Sequence, residues 1–193
     1  MTIIFALFLG YILGSVPFGL IFAKALGHGD LRKIGSGNIG ANNALRTGDK
    51  KLAILTLFFD LLKGIIPVLI LKEINPAFIS LAGFGAVLGH CYPIWLNFKG
   101  GKGVATAFGV FLAINPLLGV LSLTTWLIMA FLFKISSVSS LSAVLGAPIY
   151  AYFLLTDKIA MELFFITIIV WIRHKENIIK LMHGKETKIG KKK

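Results

Sequence analysis

The chain is short of cysteine and of acidic side chains. Cys91 is the only cysteine in 193 residues, which excludes an intramolecular disulfide and any cysteine-rich metal site. Asp and Glu together number 8, against 20 Lys and Arg, and no closely spaced carboxylate pair stands in the loops to bind magnesium. The sequence holds no H-E-x-x-H, no G-x-S-x-G and no P-C-x-x-C, although His174-Lys175-Glu176 spells H-x-E. Zinc proteolysis, serine hydrolysis and zinc deamination therefore lack their signatures. No His is followed five positions later by Asp, so the H-x4-D acyltransferase pattern is missing too. Any phosphate chemistry here is expected to use no metal and no cofactor.

What the chain has in excess is apolar sequence. Hydrophobic residues make up 56% of it, with 16 Phe and 3 Trp, far from the composition of a soluble domain and suited to a lipid-facing bundle with interfacial anchors. The net charge of +12 is read as cytoplasmic loops and anionic lipid, not as nucleic-acid binding. No Lys or Arg precedes the first apolar run, which exceeds the roughly 7–15 residues of a signal-peptide core. It is read as an uncleaved first span. A helix needs about 20 apolar residues to cross the hydrocarbon core. Spans are expected at 2–26, 52–71, 78–96, 103–114, 117–133, 135–155 and 159–172, with Asn115-Pro116 dividing the fourth from the fifth. Backbone satisfaction in lipid makes all of them helical. Arg32, Lys33, Arg46, Lys50, Lys51, Lys99, Lys102, Lys134 and the basic tail from Arg173 to Lys193 fall on one side. Lys72 and Lys158 fall on the other. The expectation is one membrane-embedded domain over 1–193, an all-α integral membrane protein with seven transmembrane helices, its N-terminus outside and its C-terminus cytoplasmic.

Three polar clusters share the cytoplasmic face of that topology. The first, Gly35-Ser36-Gly37-Asn38-Ile39-Gly40-Ala41-Asn42-Asn43, matches G-x-G-x-x-G, but Asp30-Leu31-Arg32-Lys33 precedes it where a dinucleotide fold needs a strand. Its local physics survives: glycines let amides approach an anion, Ser36, Asn38, Asn42 and Asn43 add donors, and Arg46 adds a planar cation. A tight turn with a helix cap is the plainer alternative. The second runs from Gly89-His90 to Phe98-Lys99-Gly100-Gly101-Lys102-Gly103, with Thr106 beyond. It lacks P-loop spacing, yet it sets Lys99 and Lys102 among glycines at a helix start; a simple positive-inside loop is the alternative. In the third, Arg173, His174 and Asn177 lie at helical spacings that put them on one face, or Arg173 merely snorkels. Asp60 and Lys63 read as a structural pair within a span, Gly85 and Gly89 as helix packing, and His28 and His183 as surface residues.

Taken in order, these motifs resemble the bacterial acyl-phosphate:glycerol-3-phosphate acyltransferases, the PlsY type. Gly14-Ser15-Val16-Pro17-Phe18-Gly19, Gly89-His90-Cys91-Tyr92-Pro93 and Gly184-Lys185-Glu186 extend the match over nearly the full length. The resemblance implies seven spans in a bacterial cell membrane and an active site facing the cytoplasm. It implies acyl transfer from acyl phosphate to the 1-hydroxyl of sn-glycerol 3-phosphate, giving lysophosphatidic acid and inorganic phosphate, with no obligate protein partner. The candidate catalytic residues are His174, Asn177, Ser36 and Asn38, the base being His174 or the donor's own phosphate. The candidate binding residues are Gly35, Gly37, Gly40, Asn42, Asn43, Arg46, His90, Lys99, Gly100, Gly101, Lys102, Gly103, Thr106, Arg173 and Glu186. The alternative is a transporter for an organic phosphate, which would call for internal repeats and midplane cations. No repeat is found, and Lys63 is the only cation deep in a span. A lipid-binding scaffold led by Lys191-Lys192-Lys193 leaves the glycine–asparagine loop without a role.

Overall fold

Residues 3–190 are described in this computed structural model; they form ten α-helices and short 3-10 turns, with no strand among them. The lysines at 191–193 lie outside the described residues. The first apolar run is not one helix as expected. It divides into α1 (Ile3–Gly14) and α2 (Phe18–Ala25), parted ahead of Pro17, which has no N–H to continue a helix. A short α3 (Ala41–Ala44) follows the first polar cluster. The long α4 (Lys50–Ile74) starts on Asp49, whose carboxylate accepts from the amides of Lys51 and Leu52 at 2.8 and 3.2 Å. The other oxygen of Asp49 meets His28 Nε2 at 2.8 Å, so His28 is a tie between loop ends, not a free surface residue. Then come α5 (Ile79–Cys91), α6 (Val104–Ile114), α7 (Pro116–Phe133), α8 (Ser136–Leu154), α9 (Asp157–Arg173) and α10 (Lys175–Met182). The break at Asn115-Pro116 is present, with Asn115 capping the amides of Leu117 and Leu118.

A break inside an apolar run leaves carbonyls that lipid cannot satisfy. Two distant side chains take them. The Trp95 indole donates to Ser15 O at 3.0 Å, and the Lys63 ammonium donates to Val16 O at 2.9 Å. Lys63 also pairs with Asp60 at 2.7 Å, and both residues are only 3% exposed. The charges in α4 thus serve the break between α1 and α2.

Close helix contacts are made at glycine. Gly10 and Gly14 of α1 lie against Ala82 and Ala86, and Gly85 and Gly89 of α5 lie against Leu7, Tyr11 and Ser15. The register rises in both helices together, so α1 and α5 run parallel. Helices α5 and α9 are parallel as well: Ser80 donates to Glu162 near one end, and Val87 and Val170 both border Gly103 near the other. The core fills with Phe111, Leu118, Leu163 and Ile166, all fully buried. Among the described residues, five segments are long and apolar enough to cross a membrane: Ile3–Ala25, Lys50–Ile74, Pro76–Leu96, Pro116–Phe133 and Ser136–Leu154. Helix α6, with 11 residues, rises only about 16 Å. It is short because the chain before it is sunk into the bundle. Gly101 N–H donates to His90 O at 3.0 Å, and the His90 ring stands 3.7 Å from Asp60, midway along α4.

Candidate active site

The first cluster is a loop organised by one buried amide. Asn43, 1% exposed, donates through Nδ2 to the carbonyls of Leu31, Ile34 and Asn38 at 2.9, 3.0 and 2.7 Å. Its Oδ1 accepts from Ser36 N–H at 2.9 Å and from Ser36 Oγ at 3.2 Å. Asn43 is therefore spent on the loop and presents nothing outward. Asn38 Oδ1 likewise closes a local turn on the Gly40 amide at 3.0 Å. Gly35 and Gly37 adopt φ +54° and +70°, a region costly for residues with a Cβ. A Cβ at Gly35 would also stand 2.6 Å from Arg46 Cδ, so the bare turn makes room for Arg46 above it. The Arg46 side chain is exposed and makes no hydrogen bond or ion pair with the described residues, which leaves its fork open to an anion. Asn43→Ala removes the loop's organiser. Buried donors and acceptors left unpaired cost about 1–3 kcal/mol each. Hydrogen exchange at Ser36 and the neighbouring amides should speed at least tenfold while helix amides keep their protection.

The second cluster departs from its expected use. The amides of Gly100 and Gly101 point inward, onto the carbonyls of Cys91 and His90 at 3.1 and 3.0 Å, so they are not free to cradle phosphate. A Cβ at Gly103 would stand 2.9 Å from Cys91 Sγ, and one at Gly101 would enter the His90 ring. These glycines are there for close packing on the end of α5. Their carbonyls face the other way and hold Arg173, which donates to Gly101 O at 3.0 Å and Gly100 O at 2.7 Å while its guanidinium lies 5.1 Å from the Tyr92 ring centre. Arg173 is thus a strut of the loop. His90 and Thr106 are 4% and 0% exposed, and the His90 Nδ1 and Thr106 Oγ1 atoms have no hydrogen-bond partner among the described residues. Lys99 is exposed at the loop's rim.

What this loop delivers is Lys102. Its ammonium donates to Asn177 Oδ1, across 75 residues of sequence, and burial pulls its pKa below the usual lysine range. Asn177 Nδ2 in turn donates to Glu186 Oε1 at 2.6 Å. Glu186 is brought back by Gly184, whose φ of +65° ends α10 with Gly184 and Lys185 amides returning to Leu181 and Lys180. His174 caps the junction of α9 and α10 and is 3% exposed. Its Nδ1 lies 2.8 Å from Val170 O. A carbonyl only accepts, so Nδ1 carries the proton and Nε2 keeps its lone pair. Burial pushes the His174 pKa down to about 4, the Val170 carbonyl opposes this, and Lys102 adds to it. The ring is neutral at pH 7.

Two contributors carried no motif signal. Ser136 Oγ accepts from Asn42 Nδ2 at 2.7 Å, and Ser137 Oγ donates to Glu186 Oε1 at 2.8 Å. The run Ser136-Ser137-Val138-Ser139-Ser140 was their only trace in the sequence. Through these serines the first cluster and the Lys102–Asn177–Glu186 chain meet on α8.

These features define an all-helical integral membrane protein with a cationic, amide-rich site where its loops converge. The glycerol-3-phosphate acyltransferase family model matches residues 4–184. Glycerol-3-phosphate acyltransferase of Mesorhizobium japonicum is 51% identical over 98% of this chain and 97% of its own. That of Caulobacter vibrioides is 52% identical over 95% of this chain and 86% of its own. Among solved structures, PlsY, an integral membrane glycerol 3-phosphate acyltransferase in its glycerol 3-phosphate form, superimposes with a TM-score of 0.92 at 36% identity, over 98% of this chain and 96% of that one. Its lysophosphatidic acid form gives 0.90. The chain belongs to the glycerol-3-phosphate acyltransferase family, of the PlsY type.

Proposed function

We propose that the acyl donor is an acyl phosphate, and that the protein moves its acyl group to the 1-hydroxyl of sn-glycerol 3-phosphate. The glycerol oxygen bonds to the acyl carbon, the bond from that carbon to the bridging oxygen breaks, and inorganic phosphate leaves with lysophosphatidic acid as the other product. The observation that carries this reading is the Lys102–Asn177 contact, which joins two sequence-distant polar clusters beside a neutral His174. A mixed anhydride already has a good leaving group. Orientation and charge stabilisation are then the main demands on the protein. Lys102 and Arg46 bind phosphate oxygens, and Asn177 orients the acceptor. His174 Nε2 accepts the glycerol hydroxyl and aims it. With a pKa near 4 it is a weaker base than a phosphate whose second pKa is about 6. The departing phosphate therefore takes the proton. Ser36 and Asn38 present the rim of the first loop to the donor phosphate, while Asn43, Gly100, Gly101 and Arg173 shape the walls.

The site faces the cytoplasm of a bacterial cell and the chain crosses the membrane seven times, with the N-terminus outside. Support comes from the lopsided cation distribution, from the parallel α1, α5 and α9 that alternate crossings require, and from the sunken loop that shortens α6. The whole chain acts as one domain and needs no metal, cofactor, nucleic acid or protein partner. Purified protein in lipid nanodiscs, given labelled glycerol 3-phosphate, should form lysophosphatidic acid with palmitoyl phosphate and not with palmitoyl-CoA. Equal rates with both donors would defeat the donor assignment.

A further inference from the structure

Helix starts commonly spend Ser hydroxyls on their own amides. The two serines that open α8 do not: its N-cap is Ile135, with no side-chain cap. Ser136 accepts from the Asn42 amide and Ser137 donates a hydrogen bond to Glu186, contacts that span 94 and 49 residues of sequence. Ser137 is 5% exposed, so its hydroxyl is held against this partner. Glu186 Oε1 receives Ser137 and Asn177 together, and Asn177 Oδ1 receives Lys102. A carboxylate only accepts and an ammonium only donates. The Asn177 amide is therefore locked with its oxygen toward Lys102 and its nitrogen toward Glu186. The segment that carries Glu186 is tied a second time, by Ile189 N–H on Lys134 O at 2.7 Å, just ahead of α8.

We propose that Ser137 is a positioning residue for acyl transfer: it fixes Glu186, which fixes Asn177 and Lys102 toward glycerol 3-phosphate, while Ser136 clamps residues 35–43 to the same helix end. This rests on the acyl-transfer reading above. Removing the Ser137 hydroxyl takes one charge-assisted bond from Glu186, so the carboxylate that holds the Asn177 nitrogen is less firmly placed. The acyl donor's contacts are left in place, so the cost falls on the acceptor.

The test uses full-length protein in nanodiscs and measures lysophosphatidic acid against each substrate concentration. Ser137→Ala should lower kcat/KM for glycerol 3-phosphate about tenfold and move the acyl phosphate KM less than twofold, with an unchanged melting temperature. Ser137→Thr, which keeps the hydroxyl, should recover most of the loss. In a Glu186→Gln background Ser137→Ala should add less than twofold, because coupled residues are not additive. Wild-type kinetics in Ser137→Ala, an undiminished loss in the Glu186→Gln background, or a parallel rise in both KM values with a lower melting temperature would each overturn the proposal. Should wild-type protein fail to use acyl phosphate, the donor reading is what has failed. Radiolabelled glycerol 3-phosphate binding then tests Ser137 on its own, with a tenfold weaker Kd expected in Ser137→Ala and an unchanged Kd overturning it.

Discussion

Lys102→Met should lower kcat/KM for lysophosphatidic acid formation by about a thousandfold. Methionine keeps the length and apolar stem of lysine but has no charge and no donor. The wild-type ammonium is partly desolvated where it contacts Asn177, so its interaction with a phosphate oxygen is little screened. Removing one donor aimed at developing charge costs about 10²–10³ in rate. Asn177 then also loses the partner that orients its oxygen. Lys102→Arg should rescue poorly, because a planar fork does not reproduce a compact ammonium seated on Asn177 Oδ1. Initial rates across both substrate ranges check this. A methionine variant within tenfold of wild type would remove Lys102 from the site.

His174→Ala is the second large effect, expected at about a hundredfold in kcat. The ring offers one lone pair in a buried setting, and its loss leaves the glycerol hydroxyl without an aimed acceptor. The pH profile separates aiming from full deprotonation. If the leaving phosphate takes the proton, the residual activity of His174→Ala keeps the wild-type acid limb near pH 6. A limb that vanished with the ring would instead make His174 the base. Stability gives an independent reading. The folded pKa is about 4 and an unfolded histidine titrates near 6.5. Between those values the unfolded chain binds a proton that the native ring refuses. Stability should therefore be full above pH 6.5 and fall as pH drops toward 4. The melting temperature of His174→Ala should lose part of that slope.

Much of the fold was legible from hydropathy and punctuation. Asn115-Pro116 marks the turn between α6 and α7 because Asn caps and Pro begins a helix. Gly85 and Gly89 mark the α1–α5 contact because only a bare Cα permits it. Hydropathy runs unbroken across the gap between α1 and α2, although Pro17 signals it, because the carbonyls it frees are satisfied by Trp95 and Lys63 from elsewhere in the chain. The fold brings Lys102, Asn177 and Glu186 together, but residue type alone does not say which atoms are already committed. Gly100 and Gly101 looked like a cradle of free amides, yet residue type does not show which way an amide points, and theirs close on α5. Asn43 looked like a donor to substrate, but its burial commits it to its own loop. Ser137 stands in no motif, and its partner is a carboxylate 49 residues away.

The most direct measurement follows phosphate and lysophosphatidic acid in one reaction of purified protein with palmitoyl phosphate, with and without glycerol 3-phosphate. The site predicts equal amounts of both products when the acceptor is present and almost no phosphate without it. Phosphate release independent of the acceptor, or uptake of glycerol 3-phosphate into sealed vesicles with no release, would contradict acyl transfer from acyl phosphate.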